Sequence, residues 1–132
     1  MLLTKECDYS LRIMRALADG ELRTVKTICD LEHIPHKYAY KILKKLQNAS
    51  LVKNKLGPSG GYILAQALDS FTMFDVVSAA DENLFLFECL KDGNQCPNNS
   101  ENTPCSVHVE FMRIQNVLVS EMKSKNMKEC LK

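Results

Sequence analysis

The sequence predicts a mainly α fold, in which a group of short helices is followed by a two-stranded hairpin and one long final helix. Three observations predict it. Before residue 50, apolar side chains recur at three-and-four spacing in successive short stretches, the pattern of helical faces packed on a core. An alternating stretch then meets a dense turn signal, Gly57-Pro58-Ser59-Gly60-Gly61, and leaves it through Tyr62-Ile63-Leu64, as a β-hairpin does. Beyond Thr103, the residues Val107, Phe111, Ile114, Leu118 and Met122 follow at steps of four, three, four and four, an apolar stripe along a single helix.

Taken in order, Thr4 caps a first helix whose inward face is Leu11, Met14, Leu17 and Ala18, and Asp19-Gly20 stops it. Thr24 caps a short second helix carrying Val25, Ile28 and Leu31. His33-Ile34-Pro35 breaks the chain, and Pro35 suits the first position of a third helix. That helix is expected from Pro35 to Ala49, with Tyr38, Ile42, Leu43 and Leu46 inward. Leu51 to Leu56 reads as an exposed strand, paired through the glycine-rich turn with Tyr62-Ile63-Leu64. Ser70 or Thr72 caps a further helix through Ala80, continuing irregularly towards Leu90. Lys91 to Thr103, with its asparagines and glycine and proline breaks, is a loop, and Thr103-Pro104 opens the last helix. A stripe as long as the one on that helix must be covered, and a dimer seam with a second copy does so.

Length and composition bound the function. The chain has 132 residues with 45% hydrophobic and 25% charged ones, the make-up of one globular domain rather than of a multidomain enzyme or a long disordered tail. No phosphate-cradling glycine loop with a helix lysine and no Ser/His/Asp set is present, so an enzyme is not expected. Charged residues from Lys5 to Arg15 interrupt the stretch where an export signal needs an apolar core, and no apolar run approaches the roughly 20 residues of a membrane span. A cytoplasmic protein without a membrane partner is therefore expected, and its six cysteines read as metal ligands, redox sensors or core residues rather than disulfides.

The formal charge of +1 conceals a segregation. Residues 33 to 68 contain Lys37, Lys41, Lys44, Lys45, Lys53 and Lys55 and no Asp or Glu, which makes that segment +6 and leaves −5 for the rest. Lys37, Lys41, Lys44 and Lys45 fall on the solvent side of the third helix with His36 and Tyr40 among them. A charge run is most often only a solvated face. Here it coincides with three helices, the third basic, followed by a glycine-tipped hairpin, which is the order of a winged helix-turn-helix that places its third helix in the major groove of duplex DNA. Lysines on that side supply phosphate-neutralising charge. The candidate DNA contacts are His36, Lys37, Tyr38, Tyr40, Lys41, Lys44 and Lys45 on the helix, with Lys53, Lys55, Gly57, Ser59 and Gly60 on the hairpin.

Cys89, Cys96 and Cys105, with His108 three residues on, form a C-x6-C-x8-C-x2-H series on the loop before the last helix. Thiolates and an imidazole on one loop suit a soft metal centre, zinc or iron–sulfur, and the spacing does not choose between them. The positive end of the last helix favours negative charge beside Cys105. Cys29 lies on the apolar side of the second helix and reads as core. Cys130 reads as a mobile free thiol, and Cys7, in the first helical turn beside Asp8, has no assigned role.

The chain resembles the winged-helix transcription regulators that include the iron–sulfur regulator IscR, the nitric-oxide-sensing repressor NsrR and the cysteine-metabolism repressor CymR. Leu3-Thr4-Lys5 to Asp8-Tyr9 is similar to the family's first helix, Ile34-Pro35 with Tyr38, Ile42-Leu43 and Leu46 to its recognition helix, and Ala49-Ser50-Leu51-Val52 running into Gly57 to Leu64 to its wing. Two positions depart from it: Leu56 stands where family wings carry an arginine, and the gaps between the cysteines are longer than usual. The resemblance implies a homodimeric, non-enzymatic DNA-binding regulator, a repressor, with a 2Fe–2S or 4Fe–4S cluster on Cys89, Cys96 and Cys105. It offers two fourth ligands, His108 of the same chain or Asp8 from the first helix of the partner, and Asp8 followed by Tyr9 leans towards the second. The cluster would answer redox, nitric oxide or iron status. Residues 1–81 are then a winged helix-turn-helix domain, 82–103 a sensor loop and 104–132 a dimerisation helix and tail. A cluster-free repressor regulated through thiols or a partner protein is the alternative, and a zinc-stabilised protein-interaction module is the alternative of another class; a small-molecule or redox signal is compatible with a regulator of this kind.

Overall fold

The computed structural model of the protein describes residues 3–131, so the outermost ends of the expected 1–81 and 104–132 units, residues 1, 2 and 132, lie outside the described residues. The chain is a winged helix-turn-helix with a long C-terminal helix. Its elements are α1 (Lys5–Ala16), α2 (Val25–Glu32), α3 (His36–Asn48), β1 (Val52–Lys55), β2 (Gly61–Leu64), α4 (Met73–Ala80), α5 (Ser106–Lys123) and α6 (Met127–Cys130), with 3-10 turns at Leu68–Ser70 and Glu88–Leu90. Among the described residues no helix is long and apolar enough to cross a membrane.

Side-chain caps set four of the helix starts, three of them through threonine. Thr4 accepts from the Cys7 amide, Thr24 from the Thr27 amide, and Thr72 forms a reciprocal capping box with Asp75. Between α2 and α3 the chain turns on His33, whose left-handed φ of 54° ends α2, while Ile34 drops into the core and its amide bonds Cys29 O at 3.1 Å. This turn aims α3 across α2. Pro35 is the N-cap of α3 rather than its first residue, so the helix starts one residue later than its sequence suggests. α1 also stops short of Ala18, because Gly20 N bonds Leu17 O and the last turn closes there.

Ile13 and Met14 of α1 with Leu17 at its C-cap, Ile28 of α2 and Ile42, Leu43 and Leu46 of α3 form the centre of the core and are fully buried. Cys29 lies in this core. Leu31 does not share the face of Val25 and Ile28 and is exposed; Glu32 takes that flank instead, its buried carboxylate paired with Arg15. The hairpin pairs Val52 with Leu64 and Lys55 with Gly61 in antiparallel register. Close to its turn the hairpin is anchored by Arg23, whose N–H and C=O both bond Tyr62, at 2.9 and 2.7 Å.

α4 ends at Ala80 instead of continuing, because Asp81 is already extended. A smaller core made by Cys7, Val77, Leu84 and Met122, with Leu118 packed on it, fixes the C-terminal half of α5 to α1 and α4. Met122, expected in an intermolecular stripe, is thus covered by its own chain. The residues after α5 are ordered as well: Asn126 and Glu129 box-cap α6, and Met127 is fully buried with its amide bonded to Phe71 O at 2.9 Å. Cys130 is therefore half-buried against the main core and not a mobile tail thiol. Met127→Ala is expected to destabilise the protein by about 2–5 kcal/mol, read as a lowered urea midpoint with an unchanged slope; an unchanged midpoint would show that α6 is not part of the cooperative core.

Candidate nucleic-acid interface and thiol loop

Burying Ala39, Ile42, Leu43 and Leu46 turns the opposite face of α3 outward. That face carries Lys37, Tyr40, Lys41 and Lys44, all exposed, with Tyr40 59% exposed despite its size. His36 is exposed at the helix start. Among the described residues Lys37, Lys44, Lys53 and Lys55 enter no ion pair, so their charge faces solvent undiminished.

The flanks of α3 differ. On one, Gln47 Nε2 donates to Asn54 Oδ1 at 3.2 Å, tying the helix to β1. On the other, Tyr38 is half-buried, its ring 5.6 Å from that of Tyr9 with Lys37 Nζ 5.0 Å above it, so Tyr38 belongs to the α1–α3 contact more than to the open face. Lys41 Nζ and Lys45 Nζ each donate to Glu6 at 2.6 Å, one to each carboxylate oxygen, and Lys45 also donates to Ala80 O at 2.7 Å. These two lysines hold the Glu6 carboxyl below the usual carboxylate range. Two of the candidate DNA-binding charges are thus already engaged. Nothing local in the sequence signals this, since Glu6 lies 35 residues from Lys41.

The wing tip stands clear of the body. Lys53, Lys55, Gly57 and Ser59 are exposed, Gly60 is half-buried, and Leu56 is 85% exposed. The turn is closed by Gly60 N donating to Gly57 O at 3.0 Å.

The thiol loop runs from the 3-10 turn holding Cys89 to the N-terminus of α5. The segment leading into it is pinned to α5, because Phe87 stacks on Phe111 at 3.7 Å and Leu86 N donates to the buried Gln115 side chain at 2.9 Å. The second part of the loop is drawn together by Asn99, whose amide bonds Cys96 O at 3.0 Å and whose side-chain oxygen accepts from the Cys105 amide at 2.9 Å. That bond makes Cys105 the N-cap of α5, while Thr103 pairs back to Ser100, so the helix begins at Ser106 and not at the expected Thr103-Pro104.

Cys89, Cys96 and Cys105 are all half-buried free thiols. Among the described residues no three His, Cys, Asp or Glu side chains converge closely enough to hold a metal ion. His108, one turn into α5, has its Nδ1 buried without a hydrogen-bond partner. A buried unsatisfied nitrogen costs about 1–3 kcal/mol, which a ligand there would relieve. Asp8, the other candidate fourth ligand, has both carboxylate oxygens engaged by Arg12, at 2.8 and 3.1 Å. As a donor set, three thiols and an unpartnered imidazole nitrogen suit a soft metal centre.

Comparison with known proteins matches residues 3–132 to the Rrf2 family, described as iron-dependent transcriptional regulators. Protein aau3 of Rhizobium meliloti is 33% identical over 100 residues, covering 74% of this chain and 65% of its own length. The HTH-type transcriptional regulator NsrR of Shouchella clausii is 32% identical over 100 residues, covering 73% of this chain and 67% of its own. Among solved structures, CymR, the global cysteine regulator of B. subtilis, superposes with a TM-score of 0.77 at 22% identity over 99% of this chain and 96% of that one. IscR of T. potens does so with a TM-score of 0.74 at 19% identity, covering 99% and 86%.

Proposed function

The chain belongs to the Rrf2 family of transcriptional regulators, and from that premise we propose that it is a homodimeric DNA-binding repressor whose operator affinity is set by an iron–sulfur cluster. The observation that carries the reading is the exposed basic face of α3, where Lys37 and Lys44 enter no ion pair among the described residues, beside a basic, glycine-tipped wing. In this reading α3 enters the major groove with His36, Lys37, Tyr40 and Lys44 towards the duplex. Lys53, Lys55 and the tip residues Gly57, Ser59 and Gly60 meet the flanking backbone. Residues 1–81 read DNA, 82–103 sense, and 104–132 dimerise and dock the tail.

Val107, Ile114 and Val117 remain exposed on α5 and supply the apolar seam with a second copy. Dimerisation would set two α3 helices at half-sites about 34 Å apart. Cys89, Cys96 and Cys105 would hold the cluster with His108, whose unpartnered Nδ1 favours it over Asp8. When bound, such a cluster supplies a centre that responds to oxidant, nitric oxide or iron supply. The chain's own part is positional: Asn99 couples the loop to the start of α5 and Phe87 and Gln115 couple its entry to the middle of that helix, so a change in loop closure reaches the dimer seam.

A cluster-free, thiol-regulated repressor is the second reading. It is favoured by three half-buried thiols that do not converge among the described residues. Anaerobic purification decides between the two. The expected result is a coloured protein with iron and sulfide in stoichiometric amounts that binds duplex DNA with steep salt dependence. A colourless, iron-free protein whose DNA binding still responds to oxidant through one cysteine pair would establish the second reading. Zinc alone, with no DNA binding, would overturn both.

A further inference from the structure

Glu6 sits in the first turn of α1 and reaches across to α3, where one carboxylate oxygen takes Lys41 and the other takes Lys45, both at 2.6 Å. The two lysines are not equivalent. Lys45 is 36% exposed and has a second acceptor, the Ala80 carbonyl that ends α4, so it is fixed where α1, α3 and α4 meet. Lys41 is 59% exposed and has Glu6 as its one acceptor among the described residues. It lies on the same outward face as Lys37 and Lys44, one turn from each.

A carboxylate held between two lysines presents to them what a DNA phosphate would: an anionic oxygen at hydrogen-bond distance. We propose that Glu6 is an affinity-setting residue for DNA, an internal stand-in for a phosphate that withholds Lys41 and Lys45 from the duplex. This rests on the DNA-binding reading above and refines it. Lys45 stays with Glu6 and Ala80 when the duplex docks. Lys41 is the member that loss of the Glu6 charge would release, because it is exposed and has no other acceptor among the described residues, whereas Lys45 keeps Ala80 O. The uninterrupted basic run from Lys37 to Lys55 thus overstates the charge that α3 offers. Neutralising Glu6 adds one phosphate contact without altering the surface that reads bases.

The test is a cycle of four proteins, wild type, Glu6→Gln, Lys41→Gln and the double variant, each titrated with a mixed-sequence duplex by fluorescence anisotropy. Salt is varied from about 50 to about 300 mM, and thermal unfolding confirms that each variant is folded. Glu6→Gln is expected to bind about 5–10-fold more tightly near 0.1 M salt, with a log–log salt slope steeper by about 0.9, the signature of one added phosphate contact. Lys41→Gln alone is expected to change affinity by about twofold at most, and in the Glu6→Gln background to abolish the gain. Wild-type binding that Glu6→Gln leaves unchanged in affinity and slope overturns the proposal. So does a gain that persists in the double variant, since it would reflect net charge and not a released Lys41. A chain that binds no duplex in any of the four forms overturns the DNA-binding reading itself, and this inference with it.

Discussion

Gly60→Ala is expected to weaken binding to duplex DNA by about 10–100-fold near 0.1 M salt, the loss of one to two phosphate contacts, while the helical core remains intact. A Cβ at residue 60 would lie 2.0 Å from Lys55 O and 3.0 Å from Gly57 O, and both are backbone atoms that define the tip. No rotamer change relieves such an overlap. The turn must open, breaking the Gly60 N to Gly57 O bond and releasing Lys55, which pairs with Gly61 at the end of the ladder. The wing would then present Lys53 and Lys55 in many positions instead of one, and their phosphate contacts would cost ordering entropy. Helical circular dichroism should be unchanged, because Lys55, Gly57 and Gly60 are not among the residues that form the helical core.

Gly57→Ala offers a graded comparison. Nothing lies within 4 Å of a Cβ there, but its φ of +106° is one that residues with side chains rarely adopt, so the penalty is conformational rather than steric. A smaller loss of DNA affinity than for Gly60→Ala is expected in the same titration. Equal and wild-type affinities for both variants would mean that the wing makes no contribution to binding.

The hairpin was readable because its signal is local: a run of turn-forming residues between two alternating segments leaves the backbone few alternatives. Capped helices were readable for the same reason, as Thr4, Thr24 and Thr72 each bond an amide three residues on. What escaped depends on partners distant in sequence. The four residues of α6 are too few to hold a helix by themselves and owe it to the burial of Met127 in a core assembled from α1 to α4. The start of α5 is set by the Asn99 side chain rather than by the Thr103-Pro104 pair that reads as a cap. Met122 continues the periodicity of the α5 stripe, yet α1 and α4 cover it, so periodicity identified an apolar face without saying which neighbour takes each part. The Glu6 clasp is the functional counterpart, since charges counted along a segment omit the acid that folding brings to it.

Cys96→Ala is expected to abolish iron retention, and among the two candidate fourth ligands His108→Ala, not Asp8→Ala, is expected to weaken it. The two candidate ligands differ in what ligation would make each give up. Asp8 is exposed and holds Arg12 through both oxygens, so ligation would require it to leave an existing partner. His108 has a buried Nδ1 with nothing to bond, so ligation there removes a penalty instead of adding one. It also stands on the first turn of α5, three residues after the N-cap Cys105. Cys96, by contrast, is carried by the loop between the Glu88–Leu90 turn and α5, and is required as one of three thiol donors. Loss of His108 should therefore lower iron affinity by at least about 10–100-fold, the range that disruption of a metal's supporting shell produces, measured as iron and sulfide per chain after anaerobic reconstitution. Asp8→Ala should reconstitute like wild type. Were Asp8→Ala to lose iron while His108→Ala kept it, the fourth ligand would come from α1 of the partner chain, and the unpartnered imidazole would need another explanation.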